Sequence, residues 1–257
     1  FLSTNNGTSW TDVNSGLTNS YVRSFAVIGT NFFAGTSVGV YLSTNEGISW
    51  TTVNSGLPSN ICINALVVSN TNLFAGTSDS GVFISTDNGM SWTQTGLARV
   101  NALAVNDMNL FAGVSGRTCS GGLLRSTDNG SSWSGTFGGG DANCIAVAGT
   151  NLFIGQLGDD GPFSCGGGIW LSTNNGIDWT NVINGSINSV NALGVSGTNI
   201  FMGGGSYSPG AFLSTNNGTS WTTVNSGLTD SIINSFAVRG SNVFAGTAHG
   251  VFLTTNN

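Results

Sequence analysis

Two adjacent carboxylates are the residues of this chain that most directly suggest a chemical site. Asp159 and Asp160 lie in a glycine-rich segment, GQLGDDGPFSCGGG, and paired carboxylates can bind calcium or perform acid–base catalysis. Adjacent residues in an extended segment point to opposite sides, and a glycine-rich loop leaves both side chains in water. We therefore expect no metal ion at this pair, and nothing else in the sequence indicates a cofactor.

Residues for covalent catalysis are also sparse. The single histidine, His249, lies in the short segment TAHGV, where we expect a surface loop, and the single glutamate is Glu46. Nucleophilic catalysis needs a nucleophile, a base and a group that orients the base, and no such set can be assembled around His249. The sequence therefore predicts a protein that is not an enzyme.

The composition of the chain excludes some classes of binding partner. The chain has 257 residues, no lysine, five arginines and eleven acidic residues, which gives a net charge of −6. Nucleic acids and anionic membranes bind clustered cations, so we expect neither as a partner. The sequence contains no stretch of 18 apolar residues, so we expect no membrane-spanning segment. Apolar residues make up 39% and charged residues 6%, which indicates a folded protein with a Ser-, Thr- and Asn-rich surface, typical of a secreted or cell-surface protein.

These residues must be positioned by a repeat that runs through the whole chain. The segment STNNGTSW at 3–10 returns at 214–221, with close variants between them, and the spacings of its tryptophans are 40, 42, 41, 46 and 42 residues. We call each copy a box. The acceptor, glycine and tryptophan positions of the six boxes are Asn5, Gly7, Trp10; Asn45, Gly47, Trp50; Asp87, Gly89, Trp92; Asp128, Gly130, Trp133; Asn174, Gly176, Trp179; and Asn216, Gly218, Trp221.

Each period contains four predicted strands. An alternating segment such as 100–105 is followed by a second strand such as 72–77 or 242–247, a third strand that leads into the box, and a fourth, SWTTVNSGL, after it. Four short strands in 40 to 46 residues are typical of one propeller blade. Small residues in the second strand, such as Ala75 and Gly76, would let neighbouring blades approach closely. The sequence predicts an all-β propeller of four-stranded antiparallel blades.

The box itself has the chemistry of a hairpin turn. Asn-Gly and Asp-Gly pairs favour tight turns because both residues tolerate positive φ. The Asn or Asp at the acceptor position can accept hydrogen bonds from turn amides, the box serine can add another, and the tryptophan can cover the turn.

The pattern S-x-[D/N]-x-G-x-[S/T]-W resembles the Asp-box, or BNR repeat, of sialidases, sortilin-type receptors, xyloglucanases and photosystem II assembly propellers. The resemblance covers essentially the whole chain. It implies that the box lies between the third and fourth strands, on the face away from active sites, and is structural. It also implies, for a sialidase, an arginine triad and a tyrosine nucleophile with a glutamate partner; Tyr21, Tyr41 and Tyr207 have no such partner, which favours a non-catalytic member.

The strand count favours six blades in a single domain, residues 1–257, with seven blades as the alternative. Six blades close if the C-terminal strands at 233–247 join the N-terminal strands at 1–14 in one blade. The chain begins and ends within the repeat, so we expect it to be part of a longer protein.

The blades differ most in the connection between their second and third strands. This connection is long at 113–122, 155–168 and 203–211, on the face opposite the boxes. The candidate ligand-binding residues there are Arg117, Asp159, Asp160, Phe163 and Tyr207. Loops on a rigid scaffold commonly bind partners, and the alternative is that these loops have drifted without a ligand.

The chain has four cysteines, and their positions predict which of them can pair. Cys119 and Cys165 fall in equivalent loops of adjacent blades, and a disulfide between them would suit an oxidising compartment; free or metal-bound thiols are the alternative. Cys62 and Cys144 lie in non-adjacent blades and should remain unpaired.

Trp170 replaces the Phe, Tyr or Leu that begins other third strands, so we expect it to pack, with sugar stacking as the alternative.

Three functions are compatible with this pattern. The first is an exported, non-enzymatic module that binds a protein or glycan at a cell surface, or sister subunits in an extracellular assembly. The second is a lectin-like carbohydrate or protein receptor that uses the long loops. The third, least supported by the residues, is a glycoside hydrolase of the sialidase or xyloglucanase type.

Overall fold

The structure is a computed structural model, and it describes residues 1–18, 21–97, 99–116, 120–158, 167–183, 187, 189–206 and 208–255. Two compact units are present. One comprises Phe1–Ala112 and Arg125–Ser134, and the other comprises Gly113–Leu124 and Gly135–Asn257. Within the described ranges there is no helix long and apolar enough to cross a membrane.

The chain has the β-propeller fold with six blades, each a meander of antiparallel strands in sequence order. Within the described residues, five sheets have four strands and the last has three. Blades 1 to 3 contain β1 (Val22–Ile28), β2 (Asn31–Thr36), β3 (Gly39–Ser43), β4 (Thr51–Thr52); β5 (Ile63–Ser69), β6 (Asn72–Thr77), β7 (Val82–Ser85), β8 (Thr93–Gly96); and β9 (Val100–Asn106), β10 (Asn109–Val114), β11 (Gly122–Ser126), β12 (Ser134–Gly138). Blades 4 to 6 contain β13 (Ala142–Ala148), β14 (Asn151–Gln156), β15 (Gly168–Ser172), β16 (Thr180–Asn181); β17 (Val190–Ser196), β18 (Asn199–Gly204), β19 (Gly210–Ser214), β20 (Thr222–Thr223); and β21 (Ile233–Arg239), β22 (Asn242–Thr247), β23 (Val251–Thr254).

The all-β, four-stranded prediction is confirmed, and the second strands begin and end where the sequence predicted. The fourth strand is shorter than predicted. In blades 1, 4 and 5 it has two residues, such as Thr51–Thr52. In blades 1 and 5 the rest of the segment, VNSGL, is a turn, because its glycine has a positive φ, 89° at Gly56 and 82° at Gly227, and this conformation cannot continue a strand.

The core lies along the second strands, which are buried on both faces. Phe33, Phe74, Phe111 and Phe153 are fully buried there. A strand covered on both sides is expected to be apolar at nearly every position rather than at alternate ones, which explains the repeated segment NLFAGT. Burying one such phenylalanine contributes roughly 1.5–3 kcal/mol.

Glycine in the second strand allows the next blade to pack closely. A Cβ atom added to Gly76 would lie 2.6 Å from Cγ1 of Val100, in the first strand of the next blade. At Gly155 it would lie 2.5 Å from Cγ1 of Val190. Both separations are shorter than any non-bonded carbon contact, so the second strand requires glycine here for packing, as the sequence predicted.

A β-bulge interrupts the first strands, and its extra residue links neighbouring blades. The pairing of β5 with β6 shifts between Ile63 and Ala65, which leaves Asn64 outside the ladder. Its side-chain Nδ2 donates to the Val100 carbonyl at 2.9 Å. Asn143, at the same position of blade 4, donates to the Val190 carbonyl at 3.3 Å. The alternating pattern of these strands alone does not predict that their asparagines join neighbouring blades.

The two ends of the chain each carry part of a blade. At the N-terminus, Leu2 and Thr11 pair as a short antiparallel hairpin. At the C-terminus, β22 pairs with β23, with Val243 opposite Thr254. The third-strand position of the last blade is therefore occupied by residues 251–254. Joining of the N- and C-terminal strands in one blade, and a single domain over residues 1–257, stay predictions.

Candidate functional site

The box turns are held by hydrogen bonds between residues two to four positions apart. In the first box, Oγ of Ser3 accepts from the Gly7 amide at 2.7 Å, and Oδ1 of Asn5 accepts from the Ser9 amide at 2.9 Å. The Ser3 hydroxyl also donates to Asn5 Oδ1. The residue before the glycine has a positive φ, 54° at Asn6. The polar groups of the box are therefore used within the turn itself.

Asn and Asp boxes differ in one bond. Nδ2 of Asn5 donates to Oγ of Ser9 at 2.9 Å, whereas the hydroxyl of Ser91 donates to Oδ2 of Asp87 at 2.6 Å. The carboxylate accepts from the Ser91 hydroxyl, the Ser91 amide and the Ser85 hydroxyl, and these bonds lower the pKa of Asp87 to about 2. Asp128 is held in the same way, and its pKa is also lowered to about 2.

The two Asp boxes therefore predict an acid-sensitive contribution to stability. Their carboxylates have lower pKa values in the folded than in the unfolded chain, so they stabilise the folded chain above pH 3.8 and lose this effect as the pH falls toward about 2. We expect the Asp87→Asn, Asp128→Asn double variant to lose less thermal stability over this interval than the unmodified chain. The Tm of both proteins, measured at a series of pH values from neutral to acidic, checks this expectation.

The double variant is conservative because asparagine occupies the same position in four other boxes. Asp230 also has a lowered pKa, mainly through its hydrogen bond with His249, so part of the acid sensitivity should remain. An equally steep fall in Tm in both proteins would contradict the assignment.

The box tryptophans use their ring N–H in two ways. Trp50 donates from Nε1 to the carbonyl of Val13 at 3.1 Å, and Trp92 donates to that of Val53 at 2.8 Å, so both bond to the VNSGL turn of the preceding repeat. Trp179 and Trp221 instead donate to the glycine carbonyl of their own box. The buried Nε1 of Trp133 has no hydrogen-bond partner within the described part of the chain.

Each third strand separates its box from its variable loop. In blade 4, β15 begins at Gly168, after the loop, and ends at Ser172, where the box begins. The box and the loop therefore lie at opposite ends of the strand. The same order holds for β11 and β19. We name the connections loop 3 (residues 115–121), loop 4 (157–167) and loop 5 (205–209).

The bases of the three loops are fixed to residues that come just before first strands, those of the next blade for loops 3 and 4 and that of the same blade for loop 5. The amide of Gly116, in loop 3, donates to Oδ1 of Asp141 at 2.9 Å. In loop 4, Leu157 forms a bridge with Ser189. In loop 5, the Gly205 amide donates to the carbonyl of the same Ser189 at 3.0 Å. Loops 4 and 5 therefore start side by side.

All of the predicted recognition residues fall within these loops. Arg117, Asp159, Asp160, Phe163 and Tyr207, and the cysteines Cys119 and Cys165, lie outside the described residues. Their roles stay predictions. Cys62 and Cys144, by contrast, are free thiols, and burial raises the pKa of Cys144 to about 12, so this thiol is unreactive at neutral pH.

Other titratable groups lie near the loop-bearing face. Nδ1 of His249, in the β22–β23 turn, lies 2.7 Å from Oδ2 of Asp230. The His249 side chain is 84% exposed and that of Asp230 is 12% exposed, so the imidazole lies in solvent and covers the carboxylate. No group of three or more His, Cys, Asp or Glu side chains that could hold a metal ion occurs where the structure is described.

Two aromatic residues considered for chemistry belong to the packing instead. The Trp170 ring packs against Phe137 with centroids 5.0 Å apart, and its Nε1 donates to Oε1 of Gln156 at 2.8 Å. Tyr41 is 4% exposed.

The bulge asparagines are contacts that could not be assigned from the strand pattern. Their recurrence as the second letter of INAL, VNAL and ANCI was the signal in the sequence that could have identified them.

Comparison with known proteins agrees with this architecture. Residues 83–94 match the family model of the BNR/Asp-box repeat. No curated protein sequence matches the chain significantly. Similar solved structures include an ancestral GH74 enzyme, with 19% identity, TM-score 0.74 and coverage of 96% of this chain and 37% of that one.

Two further structures are similar in fold. The extracellular domain of a one-component system from B. thetaiotaomicron has 15% identity, a TM-score of 0.71, and coverage of 91% of this chain and 32% of that one. YCF48 bound to a D1 peptide has 15% identity, a TM-score of 0.68, and coverage of 91% and 77%. The chain spans less than half the length of the GH74 enzyme and of the one-component-system domain.

Proposed function

We propose, taking the chain as a β-propeller built from Asp-box repeats, that it is an exported, non-enzymatic module that binds a protein or glycan at a cell surface or in an extracellular assembly. The binding surface is formed by loops 3, 4 and 5. The boxes are the scaffold, and their polar groups are engaged within their own turns.

The observation that supports this most directly is the anchoring of the loops. Three consecutive blades carry long connections at the end of the third strand opposite the box, and Ser189 holds the bases of two of them. A loop that is fixed at its base loses less conformational entropy when it binds a partner. Variable segments on such a base are a common arrangement for recognition.

Composition and similar folds support the exported location and the kind of partner. A surface with few charges and many Ser, Thr and Asn side chains can hydrogen-bond to sugar hydroxyls or to peptide groups with little electrostatic repulsion. One similar structure is an extracellular domain, and another is bound to a peptide.

The test measures binding of the intact protein to a glycan array and to extracellular proteins, with loop and box variants compared. We expect Phe163→Ala or Tyr207→Ala to weaken binding tenfold or more, on the order of the loss at an interface hot spot. Met90→Ala, at a 62% exposed position of a box turn, is the control. Binding lost in the control and retained in both loop variants would reject the proposal.

The glycan array also separates a lectin from a protein receptor. A glycan signal that disappears in the Tyr207→Ala variant would specify a lectin-like module. Binding only to protein would specify a receptor or assembly module. Trp170→Ala is unsuitable for this comparison because Trp170 is part of the packing between β12 and β15.

A glycoside hydrolase is the second candidate, favoured by the likeness to a GH74 enzyme. Such enzymes use two carboxyl groups about 5–10 Å apart, and loop 4 contains two carboxylates, Asp159 and Asp160. Turnover of a xyloglucan or a sialoside that is abolished by Asp159→Ala or Asp160→Ala would replace the binding proposal.

A further inference from the structure

Five of the six boxes have the dipeptide Asn-Gly at the centre of their turn. The pairs are Asn6–Gly7, Asn88–Gly89, Asn129–Gly130, Asn175–Gly176 and Asn217–Gly218, and the box at 43–50 has Glu46 in place of the asparagine. One more pair, Asn184–Gly185, lies outside the boxes and outside the described residues. Asn-Gly is the dipeptide in which asparagine most readily deamidates, because glycine has no Cβ to shield the next amide nitrogen. The turn sequence that favours the hairpin is therefore also chemically labile.

Deamidation proceeds through a ring between the two residues. The backbone nitrogen of the glycine gives up its proton and attacks Cγ of the asparagine, and the side-chain nitrogen leaves as ammonia with that proton. Water then opens the five-membered ring at either carbonyl, which yields aspartate or isoaspartate. Isoaspartate adds one carbon atom to the backbone path, so it cannot form the box turn.

The left-handed conformation of the box asparagines keeps the reacting atoms apart. The angle φ is 57° at Asn88, 55° at Asn129 and 56° at Asn175. Residues in this region have ψ of about +30 to +60°. With such a ψ, Cβ lies nearly opposite the following nitrogen about the Cα–C bond, whereas ring closure requires the two atoms to eclipse. The asparagine must therefore leave the turn conformation before it can react.

The box serine holds the attacking group. The Gly130 amide donates to Oγ of Ser126 at 2.8 Å, and the Gly176 amide donates to Oγ of Ser172 at 2.8 Å. Both serines are 1% exposed. Loss of the amide proton would break this bond and leave the buried hydroxyl oxygen without its donor. The bond therefore opposes both the rotation and the ionisation that the reaction needs.

The serine hydroxyl is itself fixed by the acceptor residue of the box. Ser126 donates to Oδ1 of Asp128 at 2.7 Å, and Ser172 donates to Oδ1 of Asn174 at 3.0 Å. The hydroxyl proton points at that acceptor, so the serine oxygen is available to accept from the glycine amide. The boxes that begin at Ser85 and Ser214 have the same two bonds.

Burial of the asparagine does not protect it. Asn88, Asn129 and Asn217 are exposed, and only the glycines that follow them are buried. Water therefore reaches the side chains that would be modified. The protection comes from the conformation of the turn and from the bond that holds the glycine amide.

We propose that the Asn-Gly pairs of the boxes are latent deamidation sites that the box serine keeps closed. While the serine holds the glycine amide, the asparagine keeps its left-handed conformation and the ring cannot form. When this bond opens, the ring forms, and its hydrolysis to isoaspartate makes the opening permanent. The serine thus sets the chemical lifetime of each turn, whatever loops 3 to 5 bind.

Ser126→Ala tests this role in one box. The unmodified protein and the variant are incubated folded at mildly alkaline pH, and mass spectrometry follows conversion of amide to carboxyl in the peptide that contains Asn129. We expect the rate at Asn129 to rise about tenfold or more, the equilibrium effect of one lost buried hydrogen bond. The rates at Asn88 and Asn175 in the same variant should not change. Both proteins unfolded in guanidinium chloride give the unprotected reference rate.

Ser131→Ala is the matched control, because it removes a different bond from the same turn. The Ser131 hydroxyl donates to the Asp128 carbonyl at 2.9 Å, and Ser131 is exposed, so water can replace this bond. We expect the rate at Asn129 to change by less than about twofold. Ser172→Ala, measured at Asn175 with Ile177→Ala as its control, repeats the test in a second box and is used if Ser126→Ala does not fold.

Four results would overturn the proposal. The first is a folded protein whose box asparagines deamidate as fast as those of the unfolded chain. The second is an unchanged rate at Asn129 in folded Ser126→Ala. The third is an equal rise in Ser131→Ala. The fourth is an equal rise at Asn88 and Asn175, since this would mean that the substitution acts through general unfolding and not through its own turn.

Discussion

Replacing Trp92 by alanine is expected to lower the free energy of unfolding by about 3–5 kcal/mol, the usual cost of removing a buried tryptophan ring. The ring is 4% exposed and lies in the cluster that contains Leu57 and Phe83. Its Nε1 bond to the Val53 carbonyl is also lost, which leaves that buried acceptor without its donor. Urea unfolding followed by circular dichroism measures the change.

Trp10→Ala is the matched control for this prediction. It makes the same substitution in the same motif, but Trp10 is 46% exposed. We expect a loss of about 1 kcal/mol or less. Equal losses in the two variants would show that the tryptophans act through their own turns and not through burial against the VNSGL turn of the preceding repeat.

Gly56→Ala is expected to have the second largest effect, about 2–5 kcal/mol. Part of it, about 1–2 kcal/mol, is the strain of an alanine in the left-handed region, since φ at Gly56 is 89°. The remainder, about 1–3 kcal/mol, is the displacement of Trp92, because the new Cβ atom collides with the Trp92 carbonyl. Thermal and urea unfolding both measure the sum.

Gly227→Ala separates the two contributions. Gly227 occupies the same position of the same five-residue turn, with φ 82° and nothing within 4 Å of an added Cβ atom. We expect only the strain there, about 1–2 kcal/mol. A loss at Gly227 as large as the loss at Gly56 would contradict the steric assignment.

Much of the fold could be predicted because its signals are local and repeated. The box sequence specifies a turn through residues two to four positions apart, and the structure has those bonds at Ser3, Asn5 and Gly7. The sequence predicts the first and last residues of the second strands because a polar residue stands at each end of their apolar run. The six-blade count follows from the same period.

What the sequence did not predict depends on contacts between blades. Asn64 lies in a strand of alternating polar and apolar residues, and this pattern predicts that its side chain faces solvent. The bulge instead turns its amide toward Val100. Whether a tryptophan bonds to the preceding repeat, like Trp92, or to its own turn, like Trp221, depends on small shifts that identical motifs do not encode.

The candidate site was predicted only as a set of loops. Loops 3 to 5 share no motif with each other, and glycine-rich segments allow many backbone paths, so neither spacing nor residue type places Arg117, Phe163 or Tyr207 relative to one another. The structure adds the points where the loops are fixed, at Asp141 and Ser189.

The contact between a box tryptophan and the VNSGL turn of the preceding repeat has a consequence for how such a chain can change over generations. The same five residues receive the tryptophan of the following repeat in blades 1 and 2. A gene segment that encodes one whole period can therefore be duplicated in tandem, and the new unit meets a neighbour that already fits it on each side. The joints between units then stay the same whenever a whole period is copied.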